Sequence, residues 1–189
     1  MHIGILGAAF NPPHLGHLLM AQQALDFAHF DEVWFTPTYH HTFAKQTELP
    51  EHRLAMAKLM VAGNPRFKVS ALEIEHVLDG NTINLLPILR HAYPQHLFTF
   101  IIGSDNLPTF HKWGRWQELV NQLPFLVIPR AGHANTPLYE NMSVLEHPLL
   151  VITNISSTGI RQRLKAGLPI GYFVTSNIQS YIQKHKLYK

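Results

Sequence analysis

The sequence predicts an α/β fold: one doubly wound, mainly parallel sheet with helices on both faces. Three observations point there. Short apolar runs at Ile3–Leu6, Glu32–Pro37, Leu97–Ile102 and Phe125–Ile128 alternate with segments of helical period. The first two runs bracket a helical stretch at the spacing of a right-handed βαβ unit. Two of the runs end in glycine, Gly7 and Gly103, followed by turn or carboxylate residues. In open α/β sheets the C-terminal strand edge is where ligands bind.

In chain order, Ile3-Gly4-Ile5-Leu6 reads as a buried strand, and Leu18 to Leu25 as the helix that follows. Between them lies Gly7-Ala8-Ala9-Phe10-Asn11-Pro12-Pro13-His14-Leu15-Gly16-His17. This is a tight turn that places two histidines at the mouth of a helix. A helix N-terminus carries unpaired N–H groups and partial positive charge, so it suits phosphate. Gly7 allows close backbone approach, and Gly16 leaves space between the imidazoles. His14 and His17 share one side of a helical turn, and imidazole N–H donors there can stabilise charge in phosphoryl or nucleotidyl transfer.

Glu32 to Pro37 is a second strand stopped by proline, and Thr38 to Glu48 is a loop rich in His, Thr and Lys. Pro50 opens a helix carrying Arg53, Met56 and Met60, and Gly63-Asn64-Pro65 ends it. Phe67 to Ser70 is a short strand or extended piece. Thr82 is placed to N-cap a helix from Ile83 to His91, with Leu85, Leu86 and Leu89 inward and Pro87 near its first turn. Leu97 to Ile102 leads into Gly103-Ser104-Asp105, with Trp113 and Trp116 just beyond. Phe125 to Ile128 closes on Pro129-Arg130. The polar stretch from Ala131 to Glu146 reads as irregular, and Leu149-Leu150-Val151-Ile152 as the last strand. Ser157 or Thr158 caps a helix from Gly159 to Lys165, and a final helix runs from Thr175 to His185. These elements make a single Rossmann-like domain over 1–189, with the C-terminal helices (158–189) packed onto it.

The 189 residues suffice for one well-buried domain, and 46% hydrophobic with 14% charged content excludes disorder. No apolar run approaches the roughly 18 residues of a membrane span, and the expected compartment is the cytoplasm. There is no cysteine, so disulfides and thiolate metal sites are excluded. Net charge of +3 suits an anionic small molecule, and no Lys/Arg block marks a nucleic-acid tail.

Three stretches together resemble one family. They are Gly7 to His17, Gly103-Ser104-Asp105 with Trp113 and Trp116, and Ile155-Ser156-Ser157-Thr158-Gly159-Ile160-Arg161. The chain resembles the bacterial nicotinate-nucleotide adenylyltransferases, members of the nucleotidyltransferase superfamily with an HxGH motif. The resemblance implies AMP transfer from ATP to nicotinate mononucleotide by direct in-line attack, giving deamido-NAD and pyrophosphate in NAD biosynthesis. His14, His17 and Arg161 would be catalytic, with Gly7, Ala8, Ala9, Phe10, Gly103, Asp105, Ser156, Ser157, Thr158 and Ile160 binding ATP. Lys45, Thr82, Trp113 and Arg130 would bind the mononucleotide. Mg²⁺ would accompany ATP, held by phosphates and water, with no metal site of the protein's own. ATP and a pyridine mononucleotide are the expected partners, without nucleic acid or membrane; a homo-oligomer stays open. Two departures fall on the mononucleotide side. The usual Pro-His-Lys or Pro-His-Arg loop reads His40-His41-Thr42-Phe43-Ala44-Lys45, and the usual Tyr-Thr pair reads Asn81-Thr82. The alternatives are transfer to nicotinamide mononucleotide, or a non-catalytic protein that binds ATP or a dinucleotide.

Overall fold

The structure is a computed structural model that describes residues 1–40 and 47–189. Along the chain run β1 (His2–Ala8), α1 (Leu15–Phe27), β2 (Glu32–Pro37), α2 (Pro50–Val61), β3 (Phe67–Val69), α3 (Leu72–Glu75) and α4 (Thr82–Ala92). Then come β4 (Leu97–Gly103), a 3₁₀ helix (Ser104–Lys112), α5 (Trp116–Gln122), β5 (Phe125–Ile128), β6 (Met142–Val144), α6 (Ser157–Lys165) and α7 (Ser176–His185). The six strands form one sheet in the order β3-β2-β1-β4-β5-β6, and every neighbouring pair is parallel. That order reverses direction between β1 and β4, and the crevice at such a switch point is where an open α/β sheet takes its ligand.

Period-two alternation builds a core on each face of the sheet. On β4, Phe98, Phe100 and Ile102 face α4 and α5, while Ile101 faces the other way. On β5, Phe125 and Val127 join the first face, Leu126 and Ile128 the second. The second face is covered by α1 and α2 together with the C-terminal helices, which contribute Ile160, Ile178 and Ile182, and the tail beyond α7, which contributes Leu187 and Tyr188.

Several local expectations need correction. Leu149–Ile152 is not a strand: Leu149, Val151 and Ile152 are mostly exposed, and the Gln23 side chain takes both the N–H and the carbonyl of Val151. The sixth strand is Met142–Val144, inside the stretch read as irregular. It pairs with β5 and buries Met142, but three residues are too few to show alternation. Ser156, not Ser157 or Thr158, caps α6, its Oγ accepting the Gly159 N–H at 3.2 Å. Thr82 is the first residue of α4, not its cap. Asn81 holds the cap position without a side-chain bond to the helix, and Asp79 braces the turn by accepting from Asn81 and Asn84. Pro87 lies past the first turn, so the Ile83 carbonyl lacks its helical donor. His52 of α2 is half-buried, with Nδ1 3.0 Å from the Tyr181 hydroxyl.

Candidate active site

The end of β1 sets the site. Gly7 and Ala8 pair with Thr36 and Pro37 of β2, which carries the chain end of both strands to one edge. A Cβ on Gly7 would stand 2.5 Å from the Phe100 ring. Glycine is therefore needed here for packing on β4, beyond any ligand approach. Phe10 adopts φ 49° and turns the chain toward α1. Its own ring is 1% exposed and lies edge-on under His17, centroids 4.8 Å apart.

His14 is the cap residue of α1, and His17 is the third residue inside it. The His17 Nδ1 accepts the His14 backbone N–H at 3.2 Å, which leaves the ring proton on Nε2. The two rings stack, centroids 3.7 Å apart. A Cβ on Gly16 would meet His14 Nδ1 at 2.9 Å and the Ile155 carbonyl at 3.1 Å, so Gly16 keeps the His14 ring in place. Burial, with the nearby Arg130 charge, holds the His14 pKa down at about 3. Burial, then His14 and Arg130, holds His17 well below its usual range. Both rings are neutral donors at neutral pH.

The N-terminus of α6 is docked against the same turn. Ser157 Oγ donates to the Pro12 carbonyl at 2.8 Å, and Arg161 Nη1 donates to the Asn11 carbonyl at 2.7 Å. Arg161 Nη2 reaches the Thr158 hydroxyl at 3.1 Å. From the C-terminal end of the chain, the Tyr188 hydroxyl donates to Asn11 Oδ1 at 2.9 Å, inside the core. Two helix N-termini therefore meet over one turn of backbone.

A cleft of about 280 Å³ opens there. Of the residues the sequence singles out, Gly7, Ala8, Ala9, His14, His17, Gly103 and Asp105 line it, as do Ser156, Ser157, Thr82, Trp113 and Arg130. Trp113 is held by Phe110, centroids 5.2 Å apart, and by the edge of Phe100. Trp116 turns away to pack on Tyr139. Four expected residues do not line the cleft. The side chains of Phe10 and Ile160 are in the core because burying them is favourable, and Thr158 and Arg161 flank the α6 end outside it. Lys45 lies outside the described residues. Arg130, expected beside the mononucleotide, is seated between Asp105 and Ile155. Its Nε is 3.5 Å from Asp105 Oδ1, and its Nη2 donates to the Ile155 carbonyl at 2.7 Å.

Sequence reasoning missed Arg53. It is fully buried on α2, and its guanidinium donates to the carbonyls of Ala9, Thr38, Tyr39 and Glu48. It thus ties the motif turn to both described ends of the 38–48 loop. The signal was present: Arg53, Met56, Ala57 and Met60 fall on one helical stripe, with a charge at its head. Thr36, Thr38 and Glu73 also line the cleft. The two threonines sit at the C-terminal end of a strand, the expected ligand edge. No sequence signal marked Glu73.

Comparison with known proteins decides the family. Residues 5–163 match the cytidylyltransferase-like family model. The Bacillus subtilis nicotinate-nucleotide adenylyltransferase is 34% identical over 99% of this chain and 98% of its own length. The chain belongs to the nicotinate-nucleotide adenylyltransferase family. Another relative, the probable nicotinate-nucleotide adenylyltransferase of Salinibacter ruber, is 35% identical across 100% of this chain and 98% of that protein. The fold of this adenylyltransferase family member recurs in a solved structure from Plasmodium falciparum. That protein is a nicotinic acid mononucleotide adenylyltransferase complexed with NaAD; it superposes with a TM-score of 0.84 at 22% identity, covering 99% of this chain and 97% of its own. Among the described residues of the adenylyltransferase chain, no helix is long and apolar enough to cross a membrane.

Proposed function

We propose that this chain transfers the adenylyl group of MgATP to nicotinate mononucleotide, yielding deamido-NAD and pyrophosphate. A phosphate oxygen of the acceptor attacks the α-phosphorus of ATP in line, and the bond from that phosphorus to the bridging oxygen breaks as pyrophosphate leaves. A phosphate monoester is largely ionised at neutral pH, so the attack needs no general base and no covalent enzyme intermediate. Catalysis is positioning and charge stabilisation.

The residues divide by chemistry. His14 and His17 give N–H donors, neutral in the free protein, to the α-phosphate as charge builds on it. Ser156, Ser157 and Thr158, with the N–H groups of α6 and Arg161, hold the β- and γ-phosphates. Asp105 accepts the adenosine ribose hydroxyls beside Gly103. Trp113 offers its ring to the pyridine, and Thr82 meets the pyridine substituent. Lys45 extends the acceptor side from the 38–48 loop. Mg²⁺ travels with ATP. The donors at the two helix ends are imidazoles, hydroxyls and a guanidinium, which suit phosphate oxygens and not a hard cation.

The observation that carries this reading is the meeting of α1 and α6 N-termini across Asn11 and Pro12, within a family whose relatives match end to end. The test is pyrophosphate release with MgATP and nicotinate mononucleotide, with the dinucleotide product identified by mass. Turnover that needs both substrates is the expected result; none with purified, folded protein contradicts it.

A further inference from the structure

Apart from the imidazole pair, the cleft is lined by further polar side chains to which the reaction above gives no role. Thr36 Oγ1, Thr38 Oγ1 and Glu73 Oε2 are buried and have no hydrogen-bond partner among the described residues, and all three residues line the cleft. Buried polar atoms are almost always paired, so three orphans on one cavity mark a place where a ligand supplies the partners. Glu73 is 2% exposed. Its carboxyl lies close enough to the Tyr39 backbone N–H and to Asp79 to feel both. Asp79 in turn accepts the Asn81 N–H at 3.0 Å. Glu73 therefore stands between the start of the 38–48 loop and the Gly80–Thr82 turn, where the sequence departs from its family pattern.

We propose that Glu73, with Thr36 and Thr38, reads the substituent on the acceptor's pyridine ring and sets the preference between carboxylate and carboxamide. This rests on the adenylyl-transfer reading. As a neutral acid, Glu73 donates Oε2–H to a carboxylate oxygen, beside two threonine hydroxyls that donate as well. As an anion it repels that carboxylate and accepts an N–H from a carboxamide. Burial, opposed by the Tyr39 N–H and aided by Asp79, pushes its pKa up to about 7, so both forms are populated near neutrality. Of the elements packed against it, β2 presents only hydroxyls here, and the turn before α4 presents Asp79. On α2, Arg53 is bonded to the Thr38 and Tyr39 carbonyls.

The test is kcat/KM for nicotinate mononucleotide and for nicotinamide mononucleotide, from roughly pH 5.5 to 8.5, in wild type, Glu73→Gln and Thr36→Val. The acceptor phosphate and the imidazole pair are common to both reactions, so their titrations cancel in the ratio. In wild type the carboxylate-to-carboxamide ratio falls by up to about tenfold per pH unit across this range, following one proton. In Glu73→Gln the ratio is flat with pH. Thr36→Val lowers it roughly tenfold at every pH by removing one donor. The wild-type profile needs no variant to fold, and a pH-independent ratio there overturns the proposal. Failure of the underlying reading looks different: no pyrophosphate from either acceptor, which overturns both.

Discussion

His14 and His17 stack ring on ring, centroids 3.7 Å apart with 24° between their planes. Two imidazolium ions do not tolerate that spacing, and burial already disfavours charge on either ring. The unfolded chain protonates His14 below its usual value near 6.5, while the folded chain does so only near 3. The folded state therefore loses stability as pH falls through that window, by ~1.4 kcal/mol per pH unit from His14 alone. Glu73 acts with the opposite sign: its raised pKa takes stability away as pH rises from 4.5 to about 7. Urea unfolding across this range checks both. His14→Gln flattens the acid limb, and Glu73→Gln steepens the net rise toward neutrality; unchanged slopes would contradict the assignment.

Gly16 is where the stacked pair is most open to disturbance. In Gly16→Ala the new methyl meets the His14 ring and the Ile155 carbonyl, and backbone cannot yield as a flexible side chain would. The His14 ring is pushed from its place while α1 itself gains helix propensity. The expected result is turnover reduced at least about tenfold, with unfolding free energy within ~1–2 kcal/mol of wild type. Steady-state kinetics paired with a denaturation curve separates the two effects.

Arg53 is a positioning residue for the cleft. In Arg53→Met the stem is replaced, but four backbone carbonyls lose their donor in a buried setting. A loss of ~3–5 kcal/mol is expected, the magnitude for removing one partner from a buried charged network. Acceptor KM should rise more than ATP KM, because three of the four carbonyls belong to the 38–48 segment. Equal shifts in both would place Arg53 in general stability alone.

Much of this architecture is legible in the sequence, because strand, glycine and helix signals agree along β1–α1 and β4. Reading fails where a side chain overrides local pattern. Leu149–Ile152 has the composition of a strand, yet Gln23, far away in sequence, takes the Val151 backbone groups that a sheet would have used. Met142–Val144 is too short to announce itself, and only its pairing with β5 makes it a strand. At α6 three adjacent hydroxyls compete for one cap, and backbone geometry alone selects Ser156. Of the site, the two helix mouths are visible as motifs. Glu73 is not, and the apolar stripe that carries Arg53 does not announce its burial, because a charged residue in a helical or turn segment reads as solvated until tertiary packing buries it.

The α1 imidazoles act on the reacting phosphate, and His17→Ala is the sharpest test of that role. Single-turnover adenylyl transfer and equilibrium binding of the dinucleotide product would be measured on the same preparation. Turnover should fall by about 10²–10⁴-fold with product affinity little changed, as for loss of a donor that matters in the transition state. Full turnover in that variant would contradict it.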